Sequence, residues 1–122
     1  MTFGQRLIDL REEKGIFQKE LAVHLNVSPS TISNYENDVH FPDIEILCKL
    51  ADYFQVSTDY LLARTDYRHN LNTLNRKLSK DYTVGDFINT TLELPQKDIS
   101  NIVEYVNLLI MRNNVSADSS GS

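Results

Sequence analysis

The 122-residue chain has no tryptophan, one cysteine, three prolines and four glycines. The lone Cys48 cannot form a disulfide within the chain, which fits a reducing compartment. The four glycines are widely spaced, so no glycine-rich loop is available to cradle a phosphate. No apolar run approaches the roughly 18 residues that span a bilayer, and the charged N-terminus is unlike a signal peptide. We therefore expect a cytoplasmic protein with no membrane contact.

Groups that carry catalysis or hold metal ions are also scarce. The three histidines, His24, His40 and His69, lie far apart in the sequence and form no zinc-binding spacing with the cysteine. No serine or cysteine has a credible histidine partner for nucleophilic catalysis. We expect no enzymatic activity, no cofactor and no metal, and no small-molecule effector site is evident.

The charge distribution bears on nucleic-acid binding. The net charge is −5, and residues 1–62 carry five lysines and arginines against ten acidic residues. Because affinity for DNA rises with the number of phosphates neutralised, one such domain should bind DNA weakly. If the chain binds DNA, we expect it to do so as a dimer and with a strong dependence on salt.

Residues 18–37, QKELAVHLNVSPSTISNYEN, predict two short helices joined by a tight turn. An apolar face recurs at helical spacing in the first helix, and Asn26 tolerates the left-handed conformation that often ends a helix. Ser28 is a favoured N-cap, and Pro29 suits the first helical position. The second helix then runs to about Glu36.

The outward side of this second helix carries only small uncharged side chains. Residues with short hydroxyl or amide side chains are poor helix formers, because these side chains compete for backbone hydrogen bonds. They are short enough to let a helix enter a groove about 12 Å wide, where they can bond to base edges. A polar helix that merely faces water is the alternative. We predict that four side chains read DNA bases: Ser30, Thr31, Ser33 and Asn34.

This stretch resembles the helix-turn-helix of the phage-repressor and Cro-like family, also called the xenobiotic-response-element family. The resemblance extends from about Phe3 to Leu62, and includes an RxxKG segment, an S-x-x-x-I-S-x-Y-E core and a P-x-x-x-x-L-x-x-L-A run. It departs from the family at Asp38, where glycine is frequent. The resemblance implies a five-helix, lambda-repressor-like DNA-binding domain.

The apolar periodicity agrees with an all-α fold of five short helices around one core, with no need of a sheet. The predicted helices span residues 2–14, 18–25, 29–36, 43–54 and 58–62. We also expect five further apolar side chains to pack into this domain: Phe17, Val39, Phe41, Ile44 and Leu62.

Several residues are candidates for contact with the DNA backbone. Gln18 lies at a helix N-terminus, where free N–H groups and the helix dipole suit a phosphate; the resemblance implies that it also braces the recognition helix. Asn37 matches a family position that touches a backbone phosphate. Lys19, Ser28 and Arg6 complete the set, although each of the two cations could simply be solvated.

Arg11 falls on the apolar stripe of the first helix, where an unpaired charge would be costly. Glu36, at the end of the second motif helix, is the predicted partner in a bidentate ion pair. Such a pair would tie helix 1 to the recognition helix, and the resemblance implies the same pairing. Two separate surface charges are the alternative.

The second half of the chain divides into three segments. Residues 63–82 predict a linker, residues 83–113 a helical oligomerisation segment, and residues 114–122 a disordered tail. Two helices with this much apolar surface cannot bury it alone, so pairing with the same segment of a second chain is expected. Packing back onto the N-terminal domain is the alternative. The stripe that would carry dimerisation comprises Ile99, Ile102, Val103, Val106, Leu109 and Ile110.

These observations favour a sequence-specific transcriptional regulator that binds double-stranded DNA as a homodimer. The resemblance to phage-type repressors, and to small two-part repressors of the sporulation and biofilm type, implies repression by blocking a promoter. The alternative is a protein-interaction module that hetero-oligomerises with another regulator or with an antagonist protein.

Overall fold

The structure, a computed structural model, describes residues 1–120 and divides into two compact units. The N-terminal unit spans Met1–Thr73, and the C-terminal unit begins at Leu74. Helices dominate both units, which confirms the predicted fold class except for one short hairpin. Within the described residues, no helix has both the length and the apolar character needed to cross a bilayer.

The N-terminal unit contains five α-helices at the predicted places. Their bounds are α1 (Phe3–Lys14), α2 (Gln18–Leu25), α3 (Pro29–Glu36), α4 (Ile44–Phe54) and α5 (Thr58–Leu61). Four of them begin at a side chain that accepts a hydrogen bond from a free backbone N–H of the first turn. These capping residues are Thr2, Ser28, Asp43 and Ser57. Left-handed residues end α1, α2 and α4, at Gly15, Asn26 and Gln55.

One hydrophobic core holds these helices together. Full burial of a large apolar side chain contributes about 1.5–3 kcal/mol relative to exposure. From α3 the core receives Ile32 and Tyr35, as predicted, so the opposite side of that helix is left for the surface. The buried core residues are Phe3, Leu7, Leu10, Leu21, Ala22, Leu25, Ile32, Tyr35, Leu50, Ala51, Val56 and Leu61.

Five side chains that we expected to pack inward are exposed instead: Phe17, Val39, Phe41, Ile44 and Leu62. The largest error is Ile44, which is 81% exposed. It occupies the first position of α4, and the inward face of that helix begins at Ile46 and Leu47. Phe41 makes a ring contact with Phe3 from outside the core, at 6.1 Å between centroids.

The segment that we predicted as a linker, 63–82, has defined structure. Its first part belongs to the N-terminal unit, where the N–H of Ser57 donates to the carbonyl of Arg68 at 3.2 Å. Val56 also forms an isolated antiparallel bridge with His69. Residues near 68 are therefore attached to the end of the helical domain. The sequence did not indicate this attachment, because the segment has few apolar residues at regular spacing.

The C-terminal unit opens with a small antiparallel hairpin that the sequence prediction missed. A 3₁₀-helix (Leu71–Asn75) spans the boundary between the two units in the sequence, and β1 (Lys77–Ser79) and β2 (Tyr82–Thr83) follow it, with an irregular register between the strands. Strands of three and two residues are too short to show an alternating pattern, and their paired backbone groups provide the stabilisation.

Two helices complete this unit, α6 (Val84–Leu92) and α7 (Gln96–Ser120). Thr83 and Asp86 form a reciprocal capping box at the start of α6. Helix α7 continues through residues 114–120, most of the segment that we predicted to be a disordered tail. Once a helix is established, each further residue adds a backbone hydrogen bond at low cost. Residues 121 and 122 lie outside the described part of the chain.

Candidate nucleic-acid interface

The outward face of α3 is small and uncharged. Ser30 is exposed, while Thr31, Ser33 and Asn34 are half-buried at the surface. Glu36, the only charged residue of this helix, is buried and therefore contributes little to the face. The four predicted base-reading residues thus lie on one short helix that presents hydroxyl and amide groups without a charge among them.

At the N-terminus of α3, three hydroxyl groups form one hydrogen-bonded chain. The hydroxyl of Ser28 accepts from the N–H of Thr31 at 3.2 Å, the N-cap hydrogen bond. The Ser28 oxygen also lies 3.0 Å from the Ser30 hydroxyl and 2.8 Å from the Thr31 hydroxyl. Two of the predicted base-reading side chains are therefore connected through the capping residue.

At the C-terminal end of α3, Asn37 and Asn34 fix the chain as it leaves the helix. The side-chain amide of Asn37 donates to the carbonyl of Ser33 at 2.9 Å and to its hydroxyl at 3.3 Å. The carbonyl of Asn34 accepts from the N–H groups of Val39 and His40, at 2.9 and 3.3 Å. These bonds satisfy carbonyl groups that a helix end otherwise leaves unpaired.

An ion pair fastens α3 to α1. The Nε of Arg11 donates to both carboxylate oxygens of Glu36, at 2.8 and 3.1 Å. Arg11 also donates to the carbonyl of Ile16 at 2.9 Å, and Gln18 donates from its side-chain amide to Glu36 at 3.3 and 3.4 Å. The structure thus brings together the predicted pair, and Gln18 braces the end of α3 from the start of α2, as the resemblance implied.

A second link between α1 and the end of α3 was not foreseen from the sequence. Asp38 adopts a left-handed backbone, with φ of 59°. Its carboxylate accepts from the hydroxyl of Thr2 at 2.6 Å and from the N–H of Gly4 at 2.9 Å. The signal was the departure from the family's frequent glycine. The left-handed backbone explains why glycine suits this position, and the two hydrogen bonds give aspartate a role there.

The predicted phosphate contacts divide into two groups. Gln18 and Lys19 line one surface cleft together with Phe17 and Pro29, and the Gln18 amide also reaches Glu36 at the end of α3. Asn37, the residue that follows α3, is exposed. All three candidate backbone contacts therefore lie next to α3.

Arg6 does not belong to this interface, and its prediction as a phosphate contact is wrong. The residue is 8% exposed, and its guanidinium carbon lies 3.7 Å from the centroid of the Tyr60 ring. One terminal nitrogen approaches Asp66 at 3.9 Å, while the Nε has no hydrogen-bond partner within the described residues. The packing of α1 beneath Tyr60 encloses the side chain, and a cation over an aromatic face is a favourable arrangement.

Perturbed pKa values are found in the scaffold. The hydrogen bond from Arg68 lowers the pKa of the Glu13 carboxyl, and the same bond raises the pKa of Arg68. Burial raises the pKa of the Tyr35 phenol, and the negative charge of Asp43 acts in the same direction. Among the described residues, no group of three His, Cys, Asp or Glu side chains could hold a metal ion.

The C-terminal unit carries an apolar strip on its surface. Three members of the predicted dimerisation stripe are exposed, Val103 by 54%, Val106 by 44% and Ile110 by 51%. The other three, Ile99, Ile102 and Leu109, are half-buried. An exposed strip of this kind on one helix is typical of a surface that meets another apolar surface.

Some of the known proteins that this chain resembles match it mainly in the helix-turn-helix region, and others match most of its length. A family model described as "Helix-turn-helix" matches residues 7–61. The HTH-type transcriptional regulator ImmR of Bacillus subtilis is 32% identical over 123 aligned residues, covering 89% of this chain and 97% of that protein. The SPbeta prophage-derived uncharacterized HTH-type transcriptional regulator YonR of Bacillus subtilis is 35% identical over 72 residues, covering 59% of this chain and 67% of that protein.

Among solved structures, the crystal structure of a transcriptional regulator from Listeria innocua is similar. The TM-score is 0.52 at 25% sequence identity, and the match covers 88% of this chain and 92% of that chain. Similarity to ImmR and to the Listeria protein therefore extends past the helix-turn-helix into the C-terminal residues.

Proposed function

We infer the function from one premise: this chain belongs to the HTH-type family of helix-turn-helix transcriptional regulators. It is a DNA-binding regulator of transcription. We propose that it acts in the cytoplasm as a repressor, that it binds double-stranded DNA as a homodimer, and that it catalyses no reaction. The observation that carries this proposal is the uncharged hydroxyl and amide face of α3.

In the proposed complex, α3 enters the major groove and its outward side chains meet base edges. The groove distinguishes all four base pairs by their pattern of donors, acceptors and methyl groups. Ser30, Thr31, Ser33 and Asn34 are the proposed readers, since they occupy the accessible side of α3. The Arg11–Glu36 pair supports this role, because it holds the helix in place without occupying its outer face.

Phosphate contacts are proposed for Gln18, Lys19 and Asn37, which lie next to α3. Gln18 lies at the first position of α2, where free backbone N–H groups favour an anion. We assign Ser28, also a predicted backbone contact, a different role, because its hydroxyl is already engaged by three neighbouring groups.

Dimerisation is proposed because one N-terminal domain offers few cations to DNA. Residues 1–62 carry twice as many acidic as basic side chains, so the electrostatic contribution of one domain is small. Two copies joined through the exposed strip on α7 would present two recognition helices to half-sites about 34 Å apart, or a multiple of that distance. Each copy then contributes its own base contacts to a single binding event.

Titration of operator DNA tests the base-reading proposal. The wild-type chain is used to select operators from a random DNA library, and affinities for selected and scrambled duplexes are compared at several salt concentrations. Asn34→Ala should reduce the preference for the selected operator by about 10- to 100-fold, the range for one specific base contact. The matched control, Asn101→Ala, changes an exposed asparagine of α7 and should leave the preference unchanged. Equal preferences for the two variants would reject the assignment.

Analytical ultracentrifugation tests the dimer. Val106→Glu places a charge in the exposed strip of α7, and Asn101→Glu places the same charge elsewhere on that helix. The first variant should sediment as a monomer and bind its operator more weakly, whereas the second should behave as wild type. A wild-type mass for Val106→Glu, with helix content unchanged by circular dichroism, would remove this surface from the dimer. An intact dimer that shifts no DNA would favour the protein-interaction alternative.

A further inference from the structure

The hydroxyl chain at the start of α3 has a consequence for which bases can be read. We propose that Ser28 is a specificity-determining positioning residue: through its hydrogen bonds it leaves one hydroxyl proton, shared between Ser30 and Thr31, for donation to DNA. The inference rests on the proposed function, in which Ser30 and Thr31 face base edges. It concerns how the two readers are coupled, which that function does not specify.

The hydroxyl of Ser28 is fully used within the helix. A serine hydroxyl has one proton and two lone pairs, so it can take part in three hydrogen bonds. Its oxygen has three partners: the N–H of Thr31 at 3.2 Å, the hydroxyl of Ser30 at 3.0 Å and the hydroxyl of Thr31 at 2.8 Å. The backbone N–H can only donate, so it occupies one lone pair. Ser28 must therefore accept from one of the two hydroxyls and donate to the other.

Only two proton arrangements satisfy this requirement. In the first, Ser30 donates to Ser28 and Ser28 donates to Thr31, so Thr31 keeps a free proton and Ser30 can only accept. In the second, Thr31 donates to Ser28 and Ser28 donates to Ser30, so Ser30 keeps the free proton and Thr31 can only accept. In both arrangements the pair offers one donor to the groove and never two.

This coupling restricts the base edges that the pair can satisfy together. Guanine presents only acceptors in the major groove, N7 and O6, whereas adenine N6 and cytosine N4 present donors. Edges that offer one acceptor and one donor satisfy both hydroxyls in one of the two arrangements. Where both base edges offer only acceptors, the single free proton can reach one of them, and the other base acceptor has no partner. The alternative is to break a hydrogen bond between Ser28 and one of the two hydroxyls, and either outcome lowers the affinity. The two side chains therefore read neighbouring edges jointly.

The experiment uses the 122-residue chain and the operator selected by the wild type. Loss of preference in Ser30→Ala and in Thr31→Val first identifies the base pairs that the two hydroxyls contact. Those base pairs are then varied so that they present mixed edges or acceptors alone. The wild type should disfavour the acceptor-only duplexes by about tenfold, the effect of one unmade hydrogen bond in a dry site.

Ser28→Gly removes the hydroxyl while keeping a residue that helix N-caps accept at little cost. Because both Ser30 and Thr31 then keep a proton, the roughly tenfold penalty on acceptor-only duplexes should fall to about twofold or less. Ser30→Ala and Thr31→Val should be non-additive when Ser28 is present and additive in the S28G background. A residue that merely stabilised α3 would lower affinity for all duplexes equally and would leave these couplings unchanged.

Thr31→Val provides a second variant in which Ser28 remains as the N-cap. Ser28 then has a free hydrogen-bonding capacity, so the preference at the base under Ser30 should broaden to accept both donors and acceptors. An unchanged penalty on acceptor-only duplexes in S28G, together with an unchanged preference at the base under Ser30 in T31V and intact helix content, would overturn this inference alone. Failure of the wild type to prefer any DNA sequence would instead overturn the proposed function, and the inference with it.

Discussion

Gly4 of α1 packs directly against the backbone of Glu36, the last residue of α3. A Cβ atom at position 4 would lie 2.7 Å from the carbonyl carbon of Glu36 and 2.9 Å from the carbonyl oxygen of Tyr35. Backbone atoms cannot yield as a flexible side chain can, so a side chain here would push the two helices apart. The position of the recognition helix is thus set by close backbone contact as well as by the Arg11–Glu36 ion pair.

Gly4→Ala should therefore lower both stability and DNA affinity. Overpacking typically costs about 1–3 kcal/mol in the free energy of unfolding, and the displaced α3 should no longer fit its operator. Gly15→Ala is the control, because position 15 has φ of 72° but nothing within 4 Å of an added Cβ. Its cost is backbone strain alone, about 1–2 kcal/mol. Urea unfolding and operator titration measure the two effects, and equal DNA affinity of the two folded variants would contradict the prediction.

Removal of Arg11 should be strongly destabilising. The Glu36 side chain is 2% exposed, so Arg11→Met leaves a buried carboxylate with only the Gln18 amide for support. Breaking a buried pair by removing one partner typically costs about 3–5 kcal/mol. Lys49→Met is the matched control, since it breaks an exposed pair with Glu45 and should cost less than about 1 kcal/mol. Similar midpoints of urea unfolding for the two variants would show that Glu36 finds another partner.

Local signals predicted the helices well because each helix begins and ends on short-range chemistry. Ser28 and Pro29 mark the start of α3, and Asn26 and Gly15 end helices in the left-handed conformation. Each of these features depends on residues within three or four positions of one another. It can therefore be recognised from the sequence without knowledge of the fold. The recognition helix and the residues on its outward face were accessible to sequence reasoning for the same reason.

Contacts between distant residues were harder to predict. Arg6 has the positive charge that a phosphate contact requires. Its environment, however, depends on Tyr60, which lies more than fifty positions further along the chain. The same is true of Arg68, which the sequence placed in a linker and which the structure pairs with Glu13. Periodicity identifies a face without identifying what covers it, so Ile44 and Phe41 were assigned to a core that other residues already fill.

Substitutions at Asp38 should separate backbone strain from hydrogen bonding. Asp38→Ala keeps the left-handed strain, about 1–2 kcal/mol, and loses both hydrogen bonds to Thr2 and Gly4. Asp38→Gly also loses the hydrogen bonds but relieves the strain, so its free energy of unfolding should lie close to that of wild type. Thermal unfolding should therefore rank D38A as the least stable of the three proteins. If D38G were as unstable as D38A, the hydrogen bonds rather than the backbone conformation would dominate.

The attachment of residues near 68 to the N-terminal unit should weaken in acid. Arg68 donates to both oxygens of Glu13, at 3.2 and 2.7 Å, and this hydrogen bonding lowers the pKa of the Glu13 carboxyl below its ordinary value of 4.5. A carboxyl with a lowered pKa in the folded state stabilises that state fully above its ordinary pKa. The stabilisation is lost as the pH falls from about 4.5 through the lower folded value.

The amide of Ser57 reports on this attachment, because it donates to the carbonyl of Arg68. Its hydrogen exchange, followed by NMR between pH 3 and 6, should be slower in wild type than in Glu13→Gln at the upper end of this range. The two proteins should converge as the pH falls and Glu13 itself becomes protonated, because a protonated carboxyl resembles the glutamine amide. Comparison with the variant at each pH removes the intrinsic pH dependence of exchange. The absence of any difference between the two proteins at pH 6 would show that the Glu13 carboxylate charge does not hold this segment, and that the Val56–His69 bridge is sufficient.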